Sequence, residues 1–209
     1  MTLTLEKIQY HIRFFIPLTL VFASLFFLSG CDDDDPVKED VPELITKATL
    51  TFIPSGGGSA VVVTATDPDG EGIQDLQVDG PINLEAAKSY SLSIALINGL
   101  AQPSDLQYNI TDEVEEEGDE HMFFFSWTNN VFSNPTGNGN IDNRADEINY
   151  EDVDDNGQPL GLTTSWTTAG TSSGNFRVIL KHQPELKSAT SDSNTGETDL
   201  DVTFTVNVQ

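Results

Sequence analysis

A chain of 209 residues with 37% hydrophobic and 9% aromatic side chains can bury one core, since domains usually take about 100–200 residues. Its 34 acidic and 9 basic residues leave a net charge of −25, which repels nucleic acid and anionic headgroups and attracts divalent cations or basic partners. The single cysteine excludes an internal disulfide, and its position near the N-terminus leaves no thiolate for catalysis or zinc in the folded body.

Residues 1–30 read as a secretion signal. Lys7, His11 and Arg13 form a positive start, and Phe14 to Leu28 is an apolar run. That run is interrupted by Pro17 and is shorter than the roughly 20 apolar residues of a spanning helix. Leu28-Ser29-Gly30-Cys31 then resembles the lipobox of bacterial lipoproteins, which predicts lipidation at Cys31 and a membrane anchor. Asp32 to Asp35, Pro36, Lys38, Glu39, Asp40 and Pro42 cannot bury apolar surface, so 31–43 is expected to be an extended tether. An acidic run directly after the cysteine resembles the surface-export signal of Bacteroidota lipoproteins. It implies the outer membrane, with the cell surface ahead of the periplasmic side.

The body, 44–209, reads as strands. Ile45 to Ile53 and Ser59 to Thr66 flank Gly56-Gly57-Gly58 as a hairpin. Tyr90, Leu92, Ile94 and Leu96 alternate with small residues. His121 to Trp127, Leu162 to Thr167 and Phe176 to His182 follow, and Leu200 to Val208 is the cleanest period-2 run. Asn156-Gly157 is a turn pair between Tyr150 and Leu162. No segment of the body carries a sustained 3.6 period. The expected fold is all-β: a single antiparallel sandwich, immunoglobulin-like.

Several motifs together carry a family resemblance. Leu50 to Phe52 with the glycine turn, Asp67-Pro68-Asp69-Gly70, Glu115 to His121, Asp154 to Leu162 and Leu180 to Pro184 resemble small flavobacterial lipoproteins labelled "type 1 periplasmic binding fold". The likeness covers most of 45–208. It implies association with outer-membrane TonB-dependent receptors and no established activity. The label implies an α/β fold, whereas the alternation of the residues themselves implies strands.

The sharpest constellation of side chains is His121 with His182. Their strands place His121, Phe123, Phe125 and Trp127 on one face, and Phe176, Val178, Leu180 and His182 on another. Antiparallel pairing with His121 opposite His182 makes every other inward pair apolar and brings both imidazoles within reach of one ion. Glu117, Asp119 and Glu120 add carboxylates nearby. Imidazole and carboxylate without thiolate suit zinc, copper or iron. The plainer reading is two rim histidines satisfied by hydrogen bonds beside a solvated acidic loop.

Asp152, Asp154 and Asn156 imitate the start of a calcium loop, but its twelfth position is Thr163 instead of glutamate, so a hairpin turn is favoured over weak calcium binding. Asp67 and Asp69 read in the same way. Trp127 and Trp166 have inward parity, which favours core packing over stacking on sugars. Nucleophile-elbow, phosphate-loop and zinc-protease motifs are missing, so a non-enzymatic role is expected. The roles weighed are a binding or accessory lipoprotein assisting receptor-mediated metal uptake, a structural or adhesive surface module, and a carbohydrate-binding module.

Overall fold

Strands form where the apolar alternation predicts them. The computed structural model describes residues 43–67 and 76–209, all within one unit, Glu39–Gln209. The signal, Cys31, the tether up to residue 42, and Asp69 lie outside the described residues. In chain order the strands are β1 (Lys47–Pro54), β2 (Val61–Thr66), β3 (Gln77–Val78), β4 (Ile82–Leu84) and β5 (Ser89–Ile97). A 3₁₀ turn (Leu106–Tyr108) and one helix, α1 (Ile110–Glu116), come next. Then follow β6 (His121–Trp127), β7 (Phe132–Asn134), β8 (Thr163–Thr168), β9 (Ser172–His182) and β10 (Glu197–Val208). No helix among the described residues is long and apolar enough to cross a membrane.

The strands make two sheets, ordered β3-β2-β1-β5-β8-β7 and β4-β10-β9-β6. All neighbours are antiparallel except β4 and β10, which pair in parallel with Val206 beside Ile82. That pair departs from the purely antiparallel expectation. Inward residues alternate as predicted: Leu50, Phe52, Leu92, Leu96, Phe176, Val178, Phe204 and Val206 are all buried between the sheets. Phe125, Trp166 and Phe176 interlock with centroids 5.0–5.9 Å apart, in the range where edge and offset contacts are favourable. Trp127 and Trp166 are 2% and 1% exposed, so neither indole offers a platform to a sugar.

The outer face of β6 was not legible in the alternation. Met122 and Phe124 read as outward residues, yet both are fully buried in a second cluster with Ile179, packed by Ile141 and Tyr150. The long excursion between β7 and β8 folds back over this edge strand. Phe123 N–H donates to Leu160 O, Asn140 N–H to Phe125 O, and Trp127 N–H to Asn138 O. An exposed sheet edge is thereby covered. The approach is so close that a Cβ on Gly139, which has φ +100°, would overlap the Phe125 carbonyl.

Helix α1 escaped the sequence reading for a related reason. It has only two buried apolar residues, Ile110 and Val114, one turn apart, too few to show a period. Thr111 hooks it to β5: its hydroxyl accepts from Leu96 N–H at 2.7 Å and donates to Leu96 O at 3.1 Å.

Candidate metal centre

The two histidines meet in the predicted register. β6 pairs β9 with His121 opposite His182, Phe123 opposite Leu180, Phe125 opposite Val178 and Trp127 opposite Phe176. Six residues of strand, about 20 Å, separate the histidines from the far end of this apolar ladder. The imidazoles are stacked, with centroids 4.7 Å apart and planes 7° from parallel. Both residues are almost wholly buried, His121 at 0% and His182 at 2% exposure.

Local structure aims each ring. His121 Nδ1 lies 3.1 Å from Glu117 O, and a carbonyl can only accept, so Nδ1 carries the hydrogen. The neutral ring then presents the lone pair of Nε2, the usual arrangement for a metal-ligating histidine held by a backbone carbonyl. His182 Nε2 is buried without an aligned hydrogen bond, and Glu120 Oε2 stands 3.4 Å from it. Gly196 supports this end of β9, since a Cβ there would overlap the His182 carbonyl.

A third strand contributes Asp199. Strict alternation with Leu200, Val202 and Phe204 would send Asp199 to solvent. The β9–β10 register shifts between Thr198 and Leu200, and this bulge turns Asp199 toward the histidines. Its side chain is fully buried, with Oδ2 3.7 Å from His121 Nε2 and no hydrogen bond to that oxygen. The other oxygen accepts the Glu43 N–H at 3.2 Å.

Glu117, His121 and His182 each offer a ligand atom within 4.8 Å of the other two. Tetrahedral ligands about 2.0–2.2 Å from an ion lie about 3.3–3.6 Å from one another. Binding one ion therefore needs the group to draw in by about an ångström, and the parallel rings to tilt so that their lone pairs converge. Glu43, Glu113 and Glu117 form a second such group, also within 4.8 Å. Glu113 and Glu117 line an open cleft of about 690 Å³ with Ile97, Leu106, Tyr108 and Asp112, which gives solvent access to the carboxylates.

The crowding has an electrostatic cost. Burial, then repulsion from the Glu113, Asp199 and Glu117 carboxylates, pushes the Glu43 carboxyl up to about 8. Burial raises Asp199 to about 6, against the opposing pull of the Glu43 N–H and His182. Burial and Glu117 raise Glu113 as well. Carboxyls raised by burial and by like charge mark this cluster as a candidate functional site.

Of the acids predicted beside His121, the structure brings Glu117 and Glu120 to the histidines. Asp119 is exposed and acts instead on Lys187, favouring its charged form. Sequence reasoning missed Asp199, Glu113 and Glu43. A bulge hid the first, an acidic run without helical period hid the second, and the third fell at the end of the predicted tether.

The calcium-like segment is spent on turn bonds. Asp152 accepts from Gly161 N–H at 2.7 Å and Thr163 N–H at 2.8 Å. Asp154 accepts from Asn156 N–H at 2.9 Å and Gln158 N–H at 2.8 Å, and its other oxygen pairs with buried Lys187 at 2.9 Å. Asn156 precedes Gly157, whose φ of +75° makes the turn. Asp67 is buried, with its N–H donating to Thr46 O at 2.8 Å.

Comparison with protein-family models, with curated proteins and with solved structures returns no match to this chain.

Proposed function

We propose that this chain is a lipid-anchored surface or outer-membrane protein whose domain binds a divalent transition-metal ion through His121, His182 and Glu117. The observation that carries the reading is the meeting of two buried imidazoles from neighbouring strands with a helix-end carboxylate, all within 4.8 Å. The Nδ1–H of His121, pinned by a backbone carbonyl, and the Nε2 of His182, which faces Glu120 without an aligned hydrogen bond, add to it. Two nitrogens and an oxygen suit zinc first, then copper or iron. The role is binding rather than catalysis, and the partner implied by the family resemblance is a TonB-dependent receptor taking up the metal or its complex. Anchoring follows from the lipobox-like Leu28-Ser29-Gly30-Cys31.

The fold reading extends to an immunoglobulin-like topology. The order β1-β5-β8-β7 corresponds to strands A, B, E and D of that fold, and β4-β10-β9-β6 to A′, G, F and C. On this reading β2 and β3 are an insertion, and the histidines lie on C and F.

Titration calorimetry with zinc and copper tests the site. Wild-type protein should bind one ion tightly, and His121→Ala and His182→Ala should each lower affinity at least tenfold. Binding that is absent, or unchanged in both variants, would overturn the reading.

A further inference from the structure

We propose that Lys187 and Asp154 join through an intramolecular amide bond, Nζ to Cγ, which cross-links the β9–β10 connection to the excursion between β7 and β8. The inference is independent of the histidine site. Lys187 lies between β9 and β10, Asp154 between β7 and β8, and Gly118 in the turn from α1 to β6. The three segments meet at this pair.

The geometry is that of an acyl-transfer site. Both side chains are 1% exposed, and Nζ stands 2.9 Å from Oδ2. That oxygen makes no aligned hydrogen bond, so the amine approaches the carboxyl off the line a hydrogen bond takes. The amine donates to Gly118 O at 2.6 Å, which holds it against the carboxyl. Oδ1 accepts two backbone N–H groups, from Asn156 at 2.9 Å and Gln158 at 2.8 Å. Two donors converging on one oxygen stabilise the charge of a tetrahedral intermediate. Burial lowers the Lys187 pKa against the opposing pull of Asp154 and Asp119, which favours the neutral, nucleophilic amine. Groups held in this way react with effective molarities of about 10⁵–10⁸ M, and a neutral amide escapes the desolvation cost of a buried ion pair.

The step needs no further reagent. A proton passes from the ammonium to Oδ2, leaving a neutral amine beside a carboxylic acid. The Nζ lone pair attacks Cγ, the N–C bond forms, and Oδ1 takes the negative charge between its two N–H donors. A second proton moves from Nζ to Oδ2, the Cγ–Oδ2 bond breaks, and water leaves with its electron pair. The amide gives a chain with one cysteine the covalent staple that no internal disulfide can supply.

The test is digestion of the denatured full chain with trypsin, which does not cleave after an acylated lysine, followed by mass spectrometry. Residues 145–177 and 182–209 should appear in one branched peptide, one water lighter than the two together, with fragment ions placing the link at Asp154 and Lys187. Lys187→Arg and Asp154→Ala should each yield linear peptides alone. Release of 182–187 and 188–209 as separate linear peptides from the wild-type chain would overturn the proposal. So would a branched peptide that persists in either variant.

Discussion

Asp199 sets the stability of the fold against the proposed binding within one side chain. Buried and turned inward by the bulge, it costs the metal-free fold, and the same placement puts a negative oxygen 3.7 Å from His121 Nε2. Asp199→Asn keeps an acceptor for the Glu43 N–H and removes the charge. The variant should melt higher than wild type at pH 8 without metal, yet bind zinc about 10–100-fold more weakly, as loss of a supporting group usually does. Thermal melts with and without zinc check both halves. The pH dependence follows from the same groups. Glu43 rises from 4.5 to about 8 on folding and Asp199 from 3.8 to about 6. Both are acids raised in the folded state, so the folded chain holds protons that the unfolded chain releases. Their contribution is fully present below the unfolded values and is lost as pH climbs through the folded ones. Urea midpoints of the metal-free protein should therefore fall from about pH 4.5 to pH 8. Glu43→Gln should flatten that fall, and a divalent cation should reverse it. Zinc binding should run the other way, weakening as pH drops through about 6.5, where free imidazole protonates.

Strands and their parity were the legible part of this protein, because one face of each is buried and a period of two leaves no freedom of assignment. The histidine pair was legible for that reason: four consecutive inward pairs fix the β6–β9 register, and only one alignment makes the three pairs beyond the histidines apolar. Where the period is broken, the sequence is silent. The bulge before Leu200 reverses the parity of Asp199, α1 is too short to show a helical repeat, and the loop covering β6 buries Met122 and Phe124 without marking them in the pattern. Calorimetric and denaturant measurements on the strands should follow the parity. Phe204→Ala, on the fully buried face of β10, should cost about 3–5 kcal/mol, and Thr203→Ala, its exposed neighbour, should cost less than about 0.5 kcal/mol. Equal costs at the two positions would contradict the inward assignment of that face.

For the whole molecule, a net charge of −25 concentrates divalent cations around the domain and selects against nucleic acid, so the charge serves the proposed site as a collecting field. Anchoring would hold that field at a membrane surface. Cys31→Ser should abolish lipid labelling and release the protein from membranes, and membrane retention of that variant would contradict the lipoprotein reading. The two sheets hold the site at one end of a rigid apolar ladder, away from the interlocked aromatics around Trp166. The proposed binding would therefore adjust the histidine end without repacking that part of the core. The most direct test of the account is a crystal structure of the zinc-loaded protein with anomalous data at the zinc edge. The expected result is one strong peak about 2.0–2.2 Å from a nitrogen of His121, a nitrogen of His182 and an oxygen of Glu117, with the two rings tilted out of their stack. A map with no peak there, the imidazoles still stacked and zinc bound only at surface carboxylates, would contradict it.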